Sequence, residues 1–132
     1  MQAYRLEMGT KFSAGHSKNL YEFWNSRVTE TLNNDLKVQK HPLLVNLASD
    51  EYFKVTHPKI LQAPILKISF KENKNGTYKV IAIHAKRARG LMVNYVVRNR
   101  LDNSEDLKSF DSERYEFNKA LSSSKELVFC RD

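Results

Sequence analysis

The chain has 132 residues, 41% of them hydrophobic and 28% charged, and a formal net charge of +7. That length supports one domain with a sizeable core, and the composition excludes a disordered chain. One cysteine, Cys130, excludes an internal disulfide framework and fits a reducing compartment. No apolar run is long enough to cross a bilayer, and Met1 to Glu7 has no apolar signal core, so a cytoplasmic protein without a membrane partner is expected. The basic balance points to polyanions such as nucleic acid or nucleotides.

Tyr4 to Met8 alternates and is stopped by Gly9, which predicts a short strand with Arg5 and Glu7 on one face. Ser17 is placed to cap a helix from Lys18 to about Asn34. Its stripe of Leu20, Phe23, Trp24, Val28 and Leu32 assigns both aromatic residues to the core. Asp35 to Pro42 is a connection, and Leu43 to Leu47 reads as a short buried strand. Ser49 then caps a short helix with Asp50 and Glu51 in its first turn. A strand feeding a helix through polar residues is also where open α/β sheets place ligands. Ser49, Asp50 and Glu51 are therefore candidate ligand contacts, beside the simpler capping role.

Ile65 to Lys71 and Tyr78 to His84 read as two strands, and the Asn73-Lys74-Asn75-Gly76 stretch between them signals a tight hairpin. The second strand is expected to deliver the chain into a basic helix from Lys86 to Leu101. Ala88, Leu91, Met92, Tyr95 and Val96 form its buried stripe. At about 100° per residue, Lys86, Arg89 and Arg100 fall on one flank, and Arg87 and Arg98 on the other. The helix start, Lys86 to Gly90, would combine free N–H groups with cationic side chains, a candidate anion site. The alternative is an ordinary solvated surface helix. Ser104 can cap a further turn, and Tyr115 to Phe117 with Glu126 to Phe129 reads as a closing pair of strands. Between them, Ser122, Ser123 and Ser124 form a polar loop that can hold an anion or simply face water.

His16, His41, His57 and His84 are scattered without metal-ligand spacing, and no phosphate-cradling or nucleophile-elbow motif occurs. No metal site and no cofactor is expected. Cys130, beside Arg131, reads as an inert cysteine rather than an activated thiol.

Four stretches together resemble one family. They are Tyr4 to Gly9, Asn46 to Lys54, Ala85 to Met92 (Ala-Lys-Arg-Ala-Arg-Gly-Leu-Met) and Ser122 to Phe129, in that order. The chain is similar to the YaaA peroxide-stress family over nearly all its length, yet only to about the C-terminal half of the family's usual length. Ala3, Arg87 and Cys130 depart from the family pattern, which more commonly has proline, lysine and a basic residue at these places. The resemblance implies an α+β fold, a mixed sheet with packed helices, in which residues 1–132 form the C-terminal part of a larger single domain. It further implies a cytoplasmic protein that limits iron-dependent oxidative damage under peroxide stress and binds duplex or distorted DNA through a basic cleft. By matched position Lys86, Arg87 and Arg89 carry that role, with Arg5 and Lys54 as companions and Arg98 and Arg100 extending the flanks. The family's helix-hairpin-helix element falls in the absent half. Such a chain is expected to fold poorly alone unless a separate chain supplies that N-terminal half.

A second reading is an enzyme or a nucleotide- or phosphometabolite-binding protein. It would use the Ser49-Asp50-Glu51 turn, the Lys86 to Gly90 helix start and the Ser122 to Ser124 loop.

Overall fold

The structure is a computed structural model that describes residues 8, 9, 11, 17–40 and 42–132. The strand expected over Tyr4 to Met8, and Arg5 with it, lies outside these residues except for Met8, which sits in a turn. The chain divides into two compact units, Met1–Leu44 with Ala48–Pro64, and Val45–Leu47 with Ile65–Asp132.

The first unit is built on helix α1, Leu20–Lys37. Its cap is Asn19 rather than Ser17, because the Asn19 side chain accepts from the Glu22 N–H at 3.0 Å while Glu22 accepts from the Lys18 N–H at 2.8 Å. The pair resembles a capping box, with Glu22 reaching one residue further back to Lys18 instead of to the cap itself, and it fixes the helix start two residues later than expected. The helix also holds its neighbours by a polar stripe. Tyr21, Asn25, Thr29 and Asn33 follow at four-residue spacing and therefore share a face. Tyr21 donates to the Glu51 carbonyl at 3.0 Å, Asn25 to Val55 at 3.0 Å and Asn33 to Ile60 at 3.0 Å. Thr29 accepts from the His57 N–H at 3.1 Å, and Asn33 from the Gln62 N–H at 2.8 Å. The irregular segment after helix α2, Asp50–Phe53, and the single turn Pro58–Ile60 thus has its backbone groups satisfied by side chains. Trp24 departs from its expected core position. It stays 43% exposed and meets Phe23 edge to face at 5.0 Å.

The second unit is a mixed sheet with one long helix. Strands β1 (Leu44–Asn46), β2 (Ile65–Lys74), β3 (Thr77–Lys79), β4 (Glu116–Phe117) and β5 (Glu126–Arg131) run in the order β1-β2-β5-β4, with β3 also paired to β2. β2 and β5 are parallel, while β3 on β2 and β4 on β5 are antiparallel. The expected α+β class with a mixed sheet is what the chain forms. The hairpin turns at Asn75 and Gly76, with φ of 54° and 82°, as an Asn-Gly turn requires.

Alternation decides which side of the sheet is core. Leu66, Ile68 and Phe70 of β2, and Leu127 and Phe129 of β5, face one way. Ala85, Ala88 and Met92 of helix α3 (Ala82–Asn99) join them in the same cluster, with Leu107, Phe110 and Tyr115 from the loops that follow. Phe70 is the hub of the rings, with centroids 5.7 Å from Phe110, 5.2 Å from Tyr115 and 5.5 Å from Phe129.

The hydrogen-bonding stripe of α1 and its exposed indole predict opposite outcomes for two substitutions. Thr29→Val keeps the volume but strips the His57 N–H of its acceptor, and should cost about 1–3 kcal/mol in urea unfolding. Trp24→Ala removes far more surface, yet should cost within about 1 kcal/mol because the ring is half in water. A larger loss for Trp24→Ala would show that α1 is held by its apolar residues instead.

Candidate nucleic-acid interface

Helix α3 starts at Ala82, and strand β3 ends at Lys79, so the expected strand through His84 is corrected. The apolar run from Val80 to Ile83 mimics a strand. Ala82, Ala85 and Ala88, strong helix formers three residues apart, extend the helical stripe of Met92 back toward the hairpin and win. The helix bonds are already running at Ala85, whose N–H reaches the Ile81 carbonyl at 2.8 Å. Lys86 to Gly90 is therefore the second and third turns of the helix, not its start. The N–H groups of those residues are inside the helical ladder and none is free for an anion. At its other end the helix closes on Arg100, a non-glycine residue in the left-handed region at φ 50°, with the Leu101 N–H returned to the Val96 carbonyl at 3.1 Å.

What remains on α3 is its side chains. Lys86, Arg98 and Arg100 are exposed and Arg89 is half-buried. Among the described residues, none of these four makes an ion pair, whereas Arg87 is tied to Glu113 at 2.6 Å. Opposite the core runs a further strip of Ile83, Gly90, Val93 and Val97, and Lys86 lies among them, one turn from both Ile83 and Gly90. Its valines and isoleucine are 46–73% exposed.

The helix is fixed to the sheet by a buried carboxylate that the sequence reading passed over. Glu72 occupies the core row of β2 after Leu66, Ile68 and Phe70, and Arg131 the core row of β5 after Leu127 and Phe129. The parallel register pairs Ile68 with Leu127, Phe70 with Phe129 and Glu72 with Arg131. Glu72 is 6% exposed and accepts from Arg131 Nε at 2.5 Å, from Arg131 Nη2, and from His84 Nδ1 at 2.9 Å. Tyr115 donates to it at 3.4 Å, and the Arg131 guanidinium stacks 4.4 Å from that ring. Burial pushes the Glu72 carboxyl upward, but the hydrogen bonds and charges of His84 and Arg131 outweigh it and hold the carboxyl below its ordinary range. The signal was present in the sequence as two alternating rows, each ending in a charge of opposite sign.

The other expected ligand contacts have internal duties. Ser49 caps α2, accepting from the Tyr52 N–H at 3.4 Å; Asp50 and Glu51 lie in its first turn and Lys54 closes it, all in the first unit. Ser122 accepts from the Val128 N–H at 2.9 Å and donates to the Asn118 carbonyl at 2.6 Å. Ser123 accepts from the Lys125 N–H at 3.2 Å, and Ser124 is exposed. These two serines shape the turn into β5. A cleft of about 320 Å³ opens between Tyr78, Arg114, Arg131 and Asp132. It mixes both signs of charge, with Asp132 accepting from Asn73 at 3.1 Å. Cys130 lines it, and burial pushes the thiol up, consistent with an inert cysteine. Among the described residues no group of three or more His, Cys, Asp or Glu side chains is placed to hold a metal ion.

An α+β unit with a basic helix locked onto a parallel strand pair is what the geometry defines. A family profile described as "Peroxide stress protein YaaA" matches residues 1–121. The chain is 55% identical over 132 residues to a UPF0246 protein of Acaryochloris marina, covering all of this chain and 52% of that protein. It is 52% identical over 131 residues to a UPF0246 protein of Idiomarina loihiensis, and 53% identical over 132 residues to one of Aliivibrio fischeri, covering 51% of each. The chain belongs to the YaaA peroxide-stress family. It spans about half the length of the curated relatives it matches.

The Glu72 network carries a prediction in which pH sets the sign. A carboxyl held below its ordinary value of about 4.3 contributes fully above that value and loses its contribution as pH falls toward its folded-state value. Glu72→Gln should cost on the order of 3 kcal/mol near neutral pH, because the Arg131 charge is left without its carboxylate. In urea titrations that difference from the parent should hold from pH 6 to about 4.3 and shrink as the pH is taken below that. A difference independent of pH would mean that shape, not charge, is what Glu72 supplies.

Proposed function

We propose that this chain is a peroxide-stress protein that binds the phosphate backbone of DNA through the cationic flanks of α3, and that it limits iron-dependent oxidative damage by doing so. The observation that carries the reading is the unpaired state of Lys86, Arg89, Arg98 and Arg100 among the described residues, on a helix fixed to the sheet. Side-chain cations spread along both flanks of a helix suit phosphates, which repeat along a duplex, and supply no pattern for reading base edges. The net charge of +7 favours the same partner. Lys54, on α2, is a further candidate contact within its own unit. Neutralising phosphates releases the counterions condensed on them. If hydrated iron is among those ions, a bound protein lowers the iron held against the DNA, which links backbone binding to peroxide protection.

The enzyme or phosphometabolite reading loses its helix-start anion site, since Lys86 to Gly90 lies within the helix. Its serines at 49, 122 and 123 are engaged in capping and turn bonds.

The test is a salt titration of affinity for plain and distorted duplexes, measured by fluorescence anisotropy. Binding should be sequence-tolerant and weaken steeply with salt, and Lys86→Ala should lower the log–log slope by about 0.9 if the side chain meets one phosphate. Arg87→Ala should change affinity less, because Glu113 already holds that guanidinium. Salt-independent binding, or equal effects at 86 and 87, would refute the interface. Arg100→Gly separates stability from binding. It should relieve left-handed strain of about 1 kcal/mol while weakening DNA affinity.

A further inference from the structure

Helix α3 is apolar on two sides, and only one of them is used. Its inner stripe of Ala85, Ala88 and Met92 is in the core. Its outer strip presents Ile83, Val93 and Val97 to solvent at 73%, 46% and 68% exposure. Large apolar side chains repeated along one exposed helix face are not what a free surface selects. Gly90 lies on the same strip, in the middle of the helix, where glycine weakens the helix relative to alanine. Nothing among the described residues accounts for it, because a Cβ built at Gly90 meets none of their atoms within 4 Å. A mid-helix glycine with open space above it leaves room for another backbone to approach closely.

We propose that the outer face of α3, Ile83, Gly90, Val93 and Val97, is the docking surface for the remaining half of the family chain, crossing closest at Gly90. The occupant follows from length. The relatives match this chain over its whole extent at about half their own, so each carries a comparable length of polypeptide that this chain does not span. Its contacting surface is apolar where it meets Ile83 near one end of the strip and Val93 and Val97 toward the other. Lys86 lies on the same strip one turn before Gly90, so a chain docked there covers it, while Arg98 stays on the flank; docking and nucleic-acid binding are therefore measured separately. Docking does not depend on the DNA reading.

The test compares this chain with the full-length Acaryochloris marina relative at matched positions. Val97→Cys, with Ser123→Cys as an exposed control, is placed in both proteins in a Cys130→Ser background, and maleimide labelling rates are read. In this chain both sites should label fast. In the relative, the position matching Val97 should label roughly tenfold slower or more while the control is unchanged. Gly90→Leu gives an independent reading. It should leave the melting temperature of this chain unchanged or raised, and lower that of the relative by roughly 4 °C or more. Equal labelling in both proteins, or a Gly90→Leu substitution harmless in both, overturns the proposal. Slow labelling at Val97 already in this chain also overturns it, since a second copy or this chain itself would then be the cover.

Discussion

The carboxylate of Glu72 is the constraint on which the second unit depends. It ends the core row of β2 exactly where Arg131 ends the core row of β5, so a one-residue slip of the parallel pair would leave both charges buried and unmatched. An apolar pair in these places would bury as well but would hold register less strictly. The same carboxylate receives His84 from the first turn of α3, so strand register and helix position are set by one group. Arg131 also reaches the Glu113 carbonyl at 3.2 Å, in a loop where Glu113 and Arg114 both take positive φ, 54° and 66°. Such consecutive left-handed residues cost on the order of 1–3 kcal/mol each and persist where surrounding contacts hold them. Here the contacts are Arg87 and Arg131 on Glu113.

That network determines which cations of α3 are available. Arg87 is spent on the strained loop, although by charge it is indistinguishable from its neighbours. Lys86 and Arg89 make no ion pair among the described residues. A basic motif read as a block is therefore divided by structure into a cation that is ion-paired to the loop and cations that are not. The division could not be made without knowing that residue 113 comes to rest beside residue 87.

Much of the fold was legible, and the failures share a cause. The hairpin at Asn75-Gly76 and the closing strands ending at Phe117 and beginning at Glu126 rest on local chemistry, and local chemistry is visible in sequence. The start of α1 was misplaced because Ser17 and Asn19 are both good caps, and only the bonds that Glu22 makes, its N–H to Asn19 and its carboxylate to the Lys18 N–H, separate them. The polar stripe Tyr21-Asn25-Thr29-Asn33 escaped because apolar periodicity was the signal sought, while the atoms it binds are backbone groups some 27–30 residues away. Glu72 escaped for a related reason. A charge at the end of an apolar alternation looks like the end of a strand, until its partner is known to lie in register on another strand. The flank assignment rests on helical pitch alone, so the four-residue error in where the helix begins leaves it unchanged for Lys86, Arg87, Arg89 and Arg98, whereas Arg100 lies past the helix end in the left-handed region.

That error nevertheless changes the kind of binding α3 can offer. A helix start presents fixed backbone dipoles and holds one anion in one place, as a phosphate site for a small molecule would. With the start moved back to Ala82, Lys86 and Arg89 stand on turns whose N–H groups are already bonded, so attraction rests on long side chains that can swing. Mobile side-chain charges along 18 residues of helix are poor at gripping a single phosphate and well suited to following a repeating one. The corrected geometry therefore shifts the balance between a metabolite and a nucleic-acid backbone toward the backbone, without any change in the residues involved.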